Sequence, residues 1–184
     1  MKLILLLVIF QVSLNSLAST YQGVIIKKAL QPIFKADADG KTYLLTAGSI
    51  SVSIYLSKLS VGDYLSLEAN NNSIPNKLTV SSVNYMGLKV LLGTWTDDVS
   101  RCYHFKSFTE FSISTQISQN KCVPSFSPIY TYIVNPSSTN WSILISGARN
   151  SYVGDLKFKT PSEVQIELFD SETGDTLKTL HLRK

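Results

Sequence analysis

The hydrophobic and polar residues of the chain alternate with a period of two over most of its length after residue 20. Because successive side chains of a β-strand point to opposite faces of a sheet, this pattern predicts strands rather than helices. Gly, Pro, Asn and Asp residues interrupt the pattern at short intervals and indicate turns. The sequence therefore predicts an all-β protein.

Six strand-like runs fall in the first half of the chain and predict five strands, because the run at 31–35 extends or restarts the strand at 21–29 after a bend. In the run at 49–55, the residues Ile50, Val52 and Ile54 are predicted to face one side of a sheet and three serines the other. Residues 56–60 allow no more than one helical turn. The acidic segment before Gly40 is predicted to form a hairpin turn with this glycine at positive φ. The runs lie at residues 21–29, 31–35, 41–46, 49–55, 64–69 and 78–85.

Three strands, a short helical turn and two more strands form the element order of a small Greek-key barrel, and residues 21–85 resemble an OB-fold. The turn Leu59-x-x-Gly62-Asp63 adds to this resemblance. The resemblance implies a module that binds oligonucleotides, oligosaccharides or proteins through one sheet face and its loops. The candidate contact residues in this part of the chain are Tyr43, Tyr55 and Tyr64.

The most apolar run outside the N-terminus, residues 83–95, joins the two halves of the sequence. We expect one strand up to Gly87 and a second strand that ends in Gly93-Thr94-Trp95. A Gly-x-Trp motif at the start of an antiparallel series resembles the first strand of lipocalins, which implies an up-and-down sheet or barrel with the tryptophan closing one end. The later strand-like runs, spaced by about 8 to 12 residues, suit this architecture. They lie at 101–105, 109–117, 129–134, 141–146, 152–158, 163–169 and 176–182.

These runs predict two domains without a polar linker between them. An OB-like Greek-key barrel is expected at residues 19–87 and a lipocalin-like antiparallel domain at residues 88–184, which a length of 184 residues can accommodate. The second half is short for a barrel that holds a ligand, so that a sheet with a filled interior is an alternative. The residues expected to be shared between the second core and the interface are Leu88, Val90, Leu91 and Leu92.

The first 18 residues combine a basic start at Lys2, an apolar centre and a small-residue end, as in a secretory signal peptide. A membrane anchor is the alternative, but the apolar run is shorter than the ~20 residues that a spanning helix needs. Cleavage is expected after Ala18 or Ser19. The protein is predicted to be secreted or periplasmic, with no transmembrane segment after removal of the signal.

Cys102 and Cys122 are the two cysteines of the chain. In an oxidising compartment, a single pair in a small domain predicts a disulfide, which would stabilise the protein by about 3 kcal/mol through loop closure. The alternative is a metal site in which His104 joins both cysteines, but the three residues lack the paired spacing of structural zinc sites. We therefore predict a disulfide, no metal site and no cofactor.

Charge and catalytic motifs narrow the choice of function. The formal net charge is +4, and the basic residues are scattered, so that no stripe could follow a phosphate backbone. Nucleic acid is therefore not an expected partner.

The histidines His104 and His181 lie in no recognisable catalytic motif. His104 is expected at the surface or a sheet edge, and His181 is expected to face solvent.

The sequence accordingly predicts a non-catalytic exported binding protein. Its expected partner is another protein, an envelope glycan or a small apolar ligand, in that order. A secreted hydrolase and a metal carrier are the alternatives, and the sequence does not indicate an oligomeric state. Exposed aromatic residues of the barrel loops are the predicted ligand-binding residues, namely Tyr130, Tyr132 and Trp141.

Overall fold

The computed structural model describes residues 18–71, 74–114, 117–118, 121–122, 128–137, 140–148, 150–170 and 172–184. Most of the predicted signal peptide, residues 1–17, lies outside the described residues. The described chain is built almost entirely from β-strands, which confirms the predicted fold class. In this part of the chain, no helix is long and apolar enough to cross a membrane.

Five strands and one helix make up the first half of the structure. They are β1 (Ser19–Lys28), β2 (Pro32–Ala36), β3 (Thr42–Ala47), α1 (Ile50–Lys58), β4 (Tyr64–Asn71) and β5 (Lys77–Gly87). β1 pairs with β2 and β4, β2 pairs with β3, β3 runs parallel to β5, and β5 pairs with β4, so that the strands close into a ring. Gly40 has a φ of 67°, which confirms the hairpin turn predicted between β2 and β3. We call this unit the five-stranded ring.

The prediction of a strand at 49–55 is wrong, because most of this segment belongs to α1. The Ser49 hydroxyl accepts a hydrogen bond from the backbone N–H of Val52 at 3.3 Å and caps the helix. Val52 and Leu56, four residues apart, are buried on one helix face, whereas Ile50 is 83% exposed. A serine cap and one buried helical face therefore prevail over the strand-like alternation.

The second half begins with a short 3-10 helix at Lys89–Leu91, so the strand predicted at 88–95 is shorter than expected. Its strands are β6 (Gly93–Asp97), β7 (Cys102–Phe105), β8 (Glu110–Ser114), β9 (Ile117–Ser118), β10 (Lys121–Cys122), β11 (Ile129–Pro136), β12 (Trp141–Ser146), β13 (Ser151–Thr160), β14 (Glu163–Phe169) and β15 (Thr176–Arg183). Eight of them form a closed antiparallel barrel in the order β6-β7-β8-β11-β12-β13-β14-β15, with β15 pairing back to β6. β9 and β10 pair with each other as a separate small hairpin.

Each closed structure has its own hydrophobic core. Because side chains alternate along a strand, every second residue of the eight-stranded barrel points inward. On β14 the inward residues are Val164, Ile166 and Leu168, all of them buried. They belong to a cluster that is separate from the cluster inside the five-stranded ring, and the half-buried Trp141 packs against both.

The five-stranded ring meets the barrel at the barrel end where β6 begins. The backbone pairing of Met86 with Val134 joins β5 to β11, so that hydrogen bonding runs from the ring into the barrel. Lys58, the last residue of α1, donates hydrogen bonds to the backbone carbonyls of Ser137 and Asn140. The helix and one strand of the ring therefore both contact the barrel.

Aromatic and acidic side chains complete this seam. The ring of Phe108 stacks on that of Tyr64, with centroids 5.7 Å apart. The buried carboxylate of Asp63 accepts the backbone N–H of Ser60 at 2.7 Å and that of Lys89 at 2.9 Å. Burial raises the pKa of Asp63, although both N–H donors act in the opposite direction. Asp63 thereby links the chain that follows α1 to the 3-10 helix of the second half.

Candidate ligand cavity

The two ends of the eight-stranded barrel differ. Because neighbouring strands are antiparallel, β6, β8, β12 and β14 finish at the same end, where β7, β11, β13 and β15 begin. We call this the open end. The opposite end, which contacts the five-stranded ring, is the closed end.

Trp95 fills the closed end. It is fully buried, and its indole N–H donates a hydrogen bond to the carbonyl of Leu91 at 2.7 Å. The ammonium group of Lys184 lies 4.7 Å from the centroid of the Trp95 ring and donates hydrogen bonds to the carbonyls of Val90 and Leu92, at 2.8 and 3.0 Å. Burial lowers the pKa of Lys184. The 3-10 helix and Lys184 therefore both contact the tryptophan.

A cavity of about 490 Å³ occupies the barrel interior towards the open end. Its described lining is mostly aliphatic and aromatic, and it contains two basic residues and no acidic one. The lining residues are Arg101, Tyr103, Phe105, Phe111, Ile113, Tyr130, Ile145, Tyr152, Ile166, Leu168, Leu177, Lys178 and Leu180. The interior is thus only partly filled by side chains, and the alternative of a filled interior is wrong for this half of the barrel.

Stacked aromatic rings form one side of the cavity. The rings of Phe105 and Phe111 lie 5.0 Å apart, and those of Phe111 and Tyr130 lie 5.2 Å apart, both pairs nearly parallel. These three residues come from adjacent strands, β7, β8 and β11, at positions that face inward. We call them the aromatic wall. It extends from the open end into the barrel and offers a flat apolar surface.

An acidic residue positions the arginine at the open end. The guanidinium group of Arg101 donates to Oδ2 of Asp97 through Nε at 2.7 Å and approaches the same oxygen with Nη2 at 2.6 Å. The Tyr103 hydroxyl donates to this oxygen at 3.1 Å. Burial acts to raise the pKa of Asp97, but the hydrogen bonds from Arg101 and Tyr103 outweigh it and lower the pKa. Asp97 therefore stays ionised and fixes the arginine beside the cavity.

The three predicted ligand-binding residues do not come together. Tyr130 lines the cavity, whereas Trp141 lies at the seam with the five-stranded ring, 5.9 Å from the ammonium group of Lys58. The expectation that Tyr132 is exposed is wrong, since this residue is 1% exposed. It follows Tyr130 by two positions on β11 and so points inward too, where its hydroxyl donates to the carbonyl of Ser107 at 2.9 Å.

The expectation of a surface position for His104 is also wrong. His104 is buried, with Nδ1 3.0 Å from the hydroxyl of Thr94 and Nε2 without a partner in the described structure. Burial and the nearby cation of Lys106 lower the pKa of His104. Because Tyr103 and Phe105 line the cavity, His104 lies on the opposite, outer face of β7. It is therefore not a cavity residue.

The predicted disulfide is confirmed. Cys102 and Cys122 are bonded with an S–S distance of 2.06 Å. Cys102 alternates with Tyr103 on β7, so that the disulfide lies on the same outer face as His104. Within the described residues, no three His, Cys, Asp or Glu side chains are grouped as a metal ion would require.

His181 is half-buried on β15 rather than fully exposed. It lines a shallow pocket of about 160 Å³ together with Asp97 and Asp98. Across the described part of the chain, neither His181 nor His104 has a hydrogen bond to a carboxylate.

Sequence reasoning missed most of the cavity residues. Arg101, Phe111, Tyr152 and Lys178 carried no motif of their own. Aromatic residues at alternate positions, such as Tyr103 and Phe105, could have indicated a shared aromatic surface, because side chains two residues apart lie on the same face of a strand. Which face lies inside a barrel depends on how the sheet curves, and this is set by pairings between distant strands.

No protein-family model, no curated protein and no solved structure matches the chain. The geometry of the cavity and of its open end is therefore the basis for assigning a function.

Proposed function

We propose that this protein is a non-catalytic binding protein whose eight-stranded barrel holds a small apolar ligand in its interior. The cavity of about 490 Å³ carries the proposal. Sites for small molecules are concave, have volumes of about 300–1,000 Å³ and are lined mainly by apolar and aromatic side chains. This ranks a small apolar ligand above the protein and glycan partners that the sequence alone favours.

The aromatic wall supports an apolar ligand. Burial of apolar surface contributes about 25 cal/mol per Å², and an aromatic side chain offers a large rigid surface for such contacts. Phe105, Phe111 and Tyr130 present three such rings in one nearly parallel stack. A ligand with a flat or extended hydrocarbon part would cover them and displace water from the cavity.

The composition of the lining supports a non-catalytic role. The described lining residues include no histidine, serine, cysteine or carboxylate, the groups most often used for nucleophilic and acid–base catalysis. The basic residues present are suited to binding an anion. We therefore place binding before catalysis as the role of this cavity.

We further propose that the five-stranded ring, residues 19–87, is an OB-like domain and that residues 88–184 form a lipocalin-like domain. A parallel β3–β5 pairing and a helix between β3 and β4 complete a five-stranded Greek-key ring, which is the OB architecture. An eight-stranded up-and-down barrel that starts at Gly93-x-Trp95 supports the second assignment. The separate cores support the division into two domains.

Export into an oxidising compartment is part of the same proposal. Disulfides persist in secreted and periplasmic proteins and are rare in the cytosol. The bond between Cys102 and Cys122 therefore supports the secreted or periplasmic location that the N-terminal sequence predicts. A carrier of small apolar molecules would be useful there, because such ligands are poorly soluble between membranes or cells.

A protein partner at the open end is a second candidate function. Three large apolar side chains at this end, Val99, Ile129 and Leu177, are each more than half exposed. Val99 follows the end of β6, Ile129 is the first residue of β11 and Leu177 is the second residue of β15, so all three lie at the open end. Exposed apolar residues grouped at one site favour contact with another molecule. A partner protein that contacts the barrel loops, as the sequence predicts, is therefore a second candidate.

The test of the main proposal is titration of the mature chain with N-phenyl-naphthylamine, a neutral apolar probe that fluoresces more strongly in apolar surroundings. We expect saturable binding to the wild-type protein. The variant Ile113→Trp adds an indole to the cavity lining and should weaken binding about tenfold or more by occupying the space. Circular dichroism checks that each variant is folded.

Ile133→Trp is the matched control. Ile133 lies on β11 at a position that faces outward and is exposed, so the same substitution leaves the cavity unchanged. We expect its affinity for the probe to equal that of the wild type. An absence of saturable binding, or an equal loss in both variants, would overturn the proposal.

A further inference from the structure

The open end of the cavity holds two cations next to an otherwise apolar lining. Arg101 and Lys178 are the basic residues of the described lining. Asp97, outside that lining, pairs with Arg101, whereas Lys178 is exposed to solvent. The arrangement thus favours a ligand that brings its own negative charge.

The geometry of Arg101 leaves part of its guanidinium group free. Asp97 accepts from Nε and Nη2, and among the described residues none accepts from Nη1. The ion pair fixes the guanidinium plane while two N–H donors on Nη1 remain. A preorganised arginine of this kind binds anions with little loss of side-chain entropy.

Two more donors belong to the described lining of the cavity. Lys178 is exposed at the rim, and its ammonium group has no partner in the described part of the chain. The Tyr152 hydroxyl accepts a hydrogen bond from the side-chain amide of Asn150 at 3.1 Å, which leaves its own proton to donate. The lining of the cavity therefore contains arginine, lysine and tyrosine donors.

We propose that the ligand is an amphiphile with one anionic end group, such as an acyl chain that ends in a carboxylate. Its hydrocarbon part lies along the aromatic wall, and its anionic group binds Arg101 and Lys178 at the open end. This inference rests on the proposed function, since it specifies the chemical class of the ligand of the same cavity. It requires that charge, and not only apolar surface, determines affinity.

The experiment compares decanoate with decanol, which share one hydrocarbon chain and differ in the charge of the end group. Both are titrated into the mature wild-type protein by calorimetry below their aggregation concentrations. We expect decanoate to bind about ten to a hundred times more tightly, because hydrogen bonds to charged groups outweigh neutral ones. Added salt should weaken the binding of decanoate more than that of decanol.

Variants assign the effect to the two cations. Lys178→Gln should lower the affinity for decanoate about threefold, and the charge reversal Lys178→Glu about tenfold, with the affinity for decanol unchanged. Arg101→Gln should lower decanoate binding about tenfold or more. The Lys178 variants keep the test decisive if Arg101→Gln fails to fold after leaving Asp97 unpaired. Lys159→Gln, an exposed lysine of β13 outside the cavity lining, is the matched control.

Each outcome separates the two proposals. Equal affinities of wild-type protein for decanoate and decanol would overturn the anionic ligand and leave an apolar ligand supported. Tighter binding of decanoate that neither Lys178→Glu nor Arg101→Gln weakens would overturn the assignment of the end group to the open end. Binding of neither compound, together with no binding of the neutral fluorescent probe, would overturn both.

Discussion

The carboxylate of Asp63 accepts the backbone N–H of Lys89 at 2.9 Å, so that a residue of the five-stranded ring caps the 3-10 helix at the start of the second half. The same carboxylate accepts the N–H of Ser60. Both acceptor oxygens are buried at the seam and are therefore protected from competition with water. The relative position of the two closed structures depends in part on this one side chain.

Asp63→Asn is expected to destabilise the protein. The substituted amide keeps one acceptor oxygen and places an N–H₂ group against the second N–H donor, so the free energy of unfolding should fall by about 1–3 kcal/mol. Urea denaturation followed by circular dichroism measures the change. The same carboxylate-to-amide change at the exposed residue Glu172, Glu172→Gln, should alter stability by less than about 0.5 kcal/mol. Equal effects of both variants would contradict the role of Asp63 at the seam.

Trp95→Phe should weaken the closed end of the barrel. The substitution leaves the buried carbonyl of Leu91 without its indole donor and removes part of a fully buried ring, which together cost about 2 kcal/mol or more. Trp141→Phe makes the same change at a half-buried tryptophan whose indole N–H has no acceptor within the described structure, and should cost about 1 kcal/mol or less. Thermal unfolding of both variants compares them. A larger loss of stability in Trp141→Phe than in Trp95→Phe would contradict this role of Trp95 at the closed end.

Asp97→Asn should make stability depend less on pH in the acid range. The pKa of Asp97 is lowered in the folded protein, so its contribution is complete above the unfolded pKa of about 3.9 and is lost as the pH falls through the folded pKa. Near neutral pH the variant is expected to be less stable by about 1–3 kcal/mol, and the difference should shrink below about pH 4. Urea denaturation at several pH values measures this convergence.

Asp98→Asn provides the comparison for that pH series. Asp98 pairs with Arg183 at 3.0 Å, but both side chains are more than half exposed, so the variant should lose less than about 1 kcal/mol. A constant difference between the wild type and Asp97→Asn from neutral to acid pH would contradict the assignment of the lowered pKa.

His104→Asn should remove a second contribution to the pH dependence of the free energy of unfolding. Burial lowers the pKa of His104, so the unfolded chain binds a proton first as the pH falls below about 6.5, and the wild type loses stability from there down to the folded pKa. Asparagine does not titrate, and the variant should lose less stability over this range. Parallel profiles of wild type and His104→Asn would contradict the prediction.

Loss of the disulfide should destabilise the barrel. Replacing Cys102 and Cys122 by serine removes the covalent loop closure and is expected to lower the free energy of unfolding by about 3 kcal/mol. Treating the wild type with dithiothreitol should give the same shift in the urea midpoint, and the serine variant should not respond to the reductant. A response of the serine variant would show that the reductant acts elsewhere.

Strand positions were predictable because alternation is a local property of the sequence. The Gly93-x-Trp95 motif marked the correct strand at the closed end, although the run before it forms a 3-10 helix. The segment at Ser49 misled the prediction, since a helix and a strand both tolerate serines between β-branched residues. Only the packing of Val52 and Leu56 against the ring decides between them.

The cavity was less accessible from sequence because it depends on pairings between distant strands. The barrel closes through the pairing of Leu182 with Asp97, and neither residue carries a local signal for it. The inward direction of Tyr132 and the outward direction of His104 follow from this closure. Arg101 is held beside the cavity by its ion pair with Asp97, which no local pattern indicates. Sequence patterns thus located the strands, while the site needed the three-dimensional curvature of the sheet.

The five-stranded ring contacts the barrel at the closed end, so the mouth of the cavity points away from the ring. If the ring were coupled to a sensor chip or a cell envelope, the mouth would face the surrounding fluid without obstruction. Ligand exchange would then require no separation of the two halves. If the barrel holds the ligand proposed above, the ring would remain accessible for attachment while the barrel binds and releases that ligand.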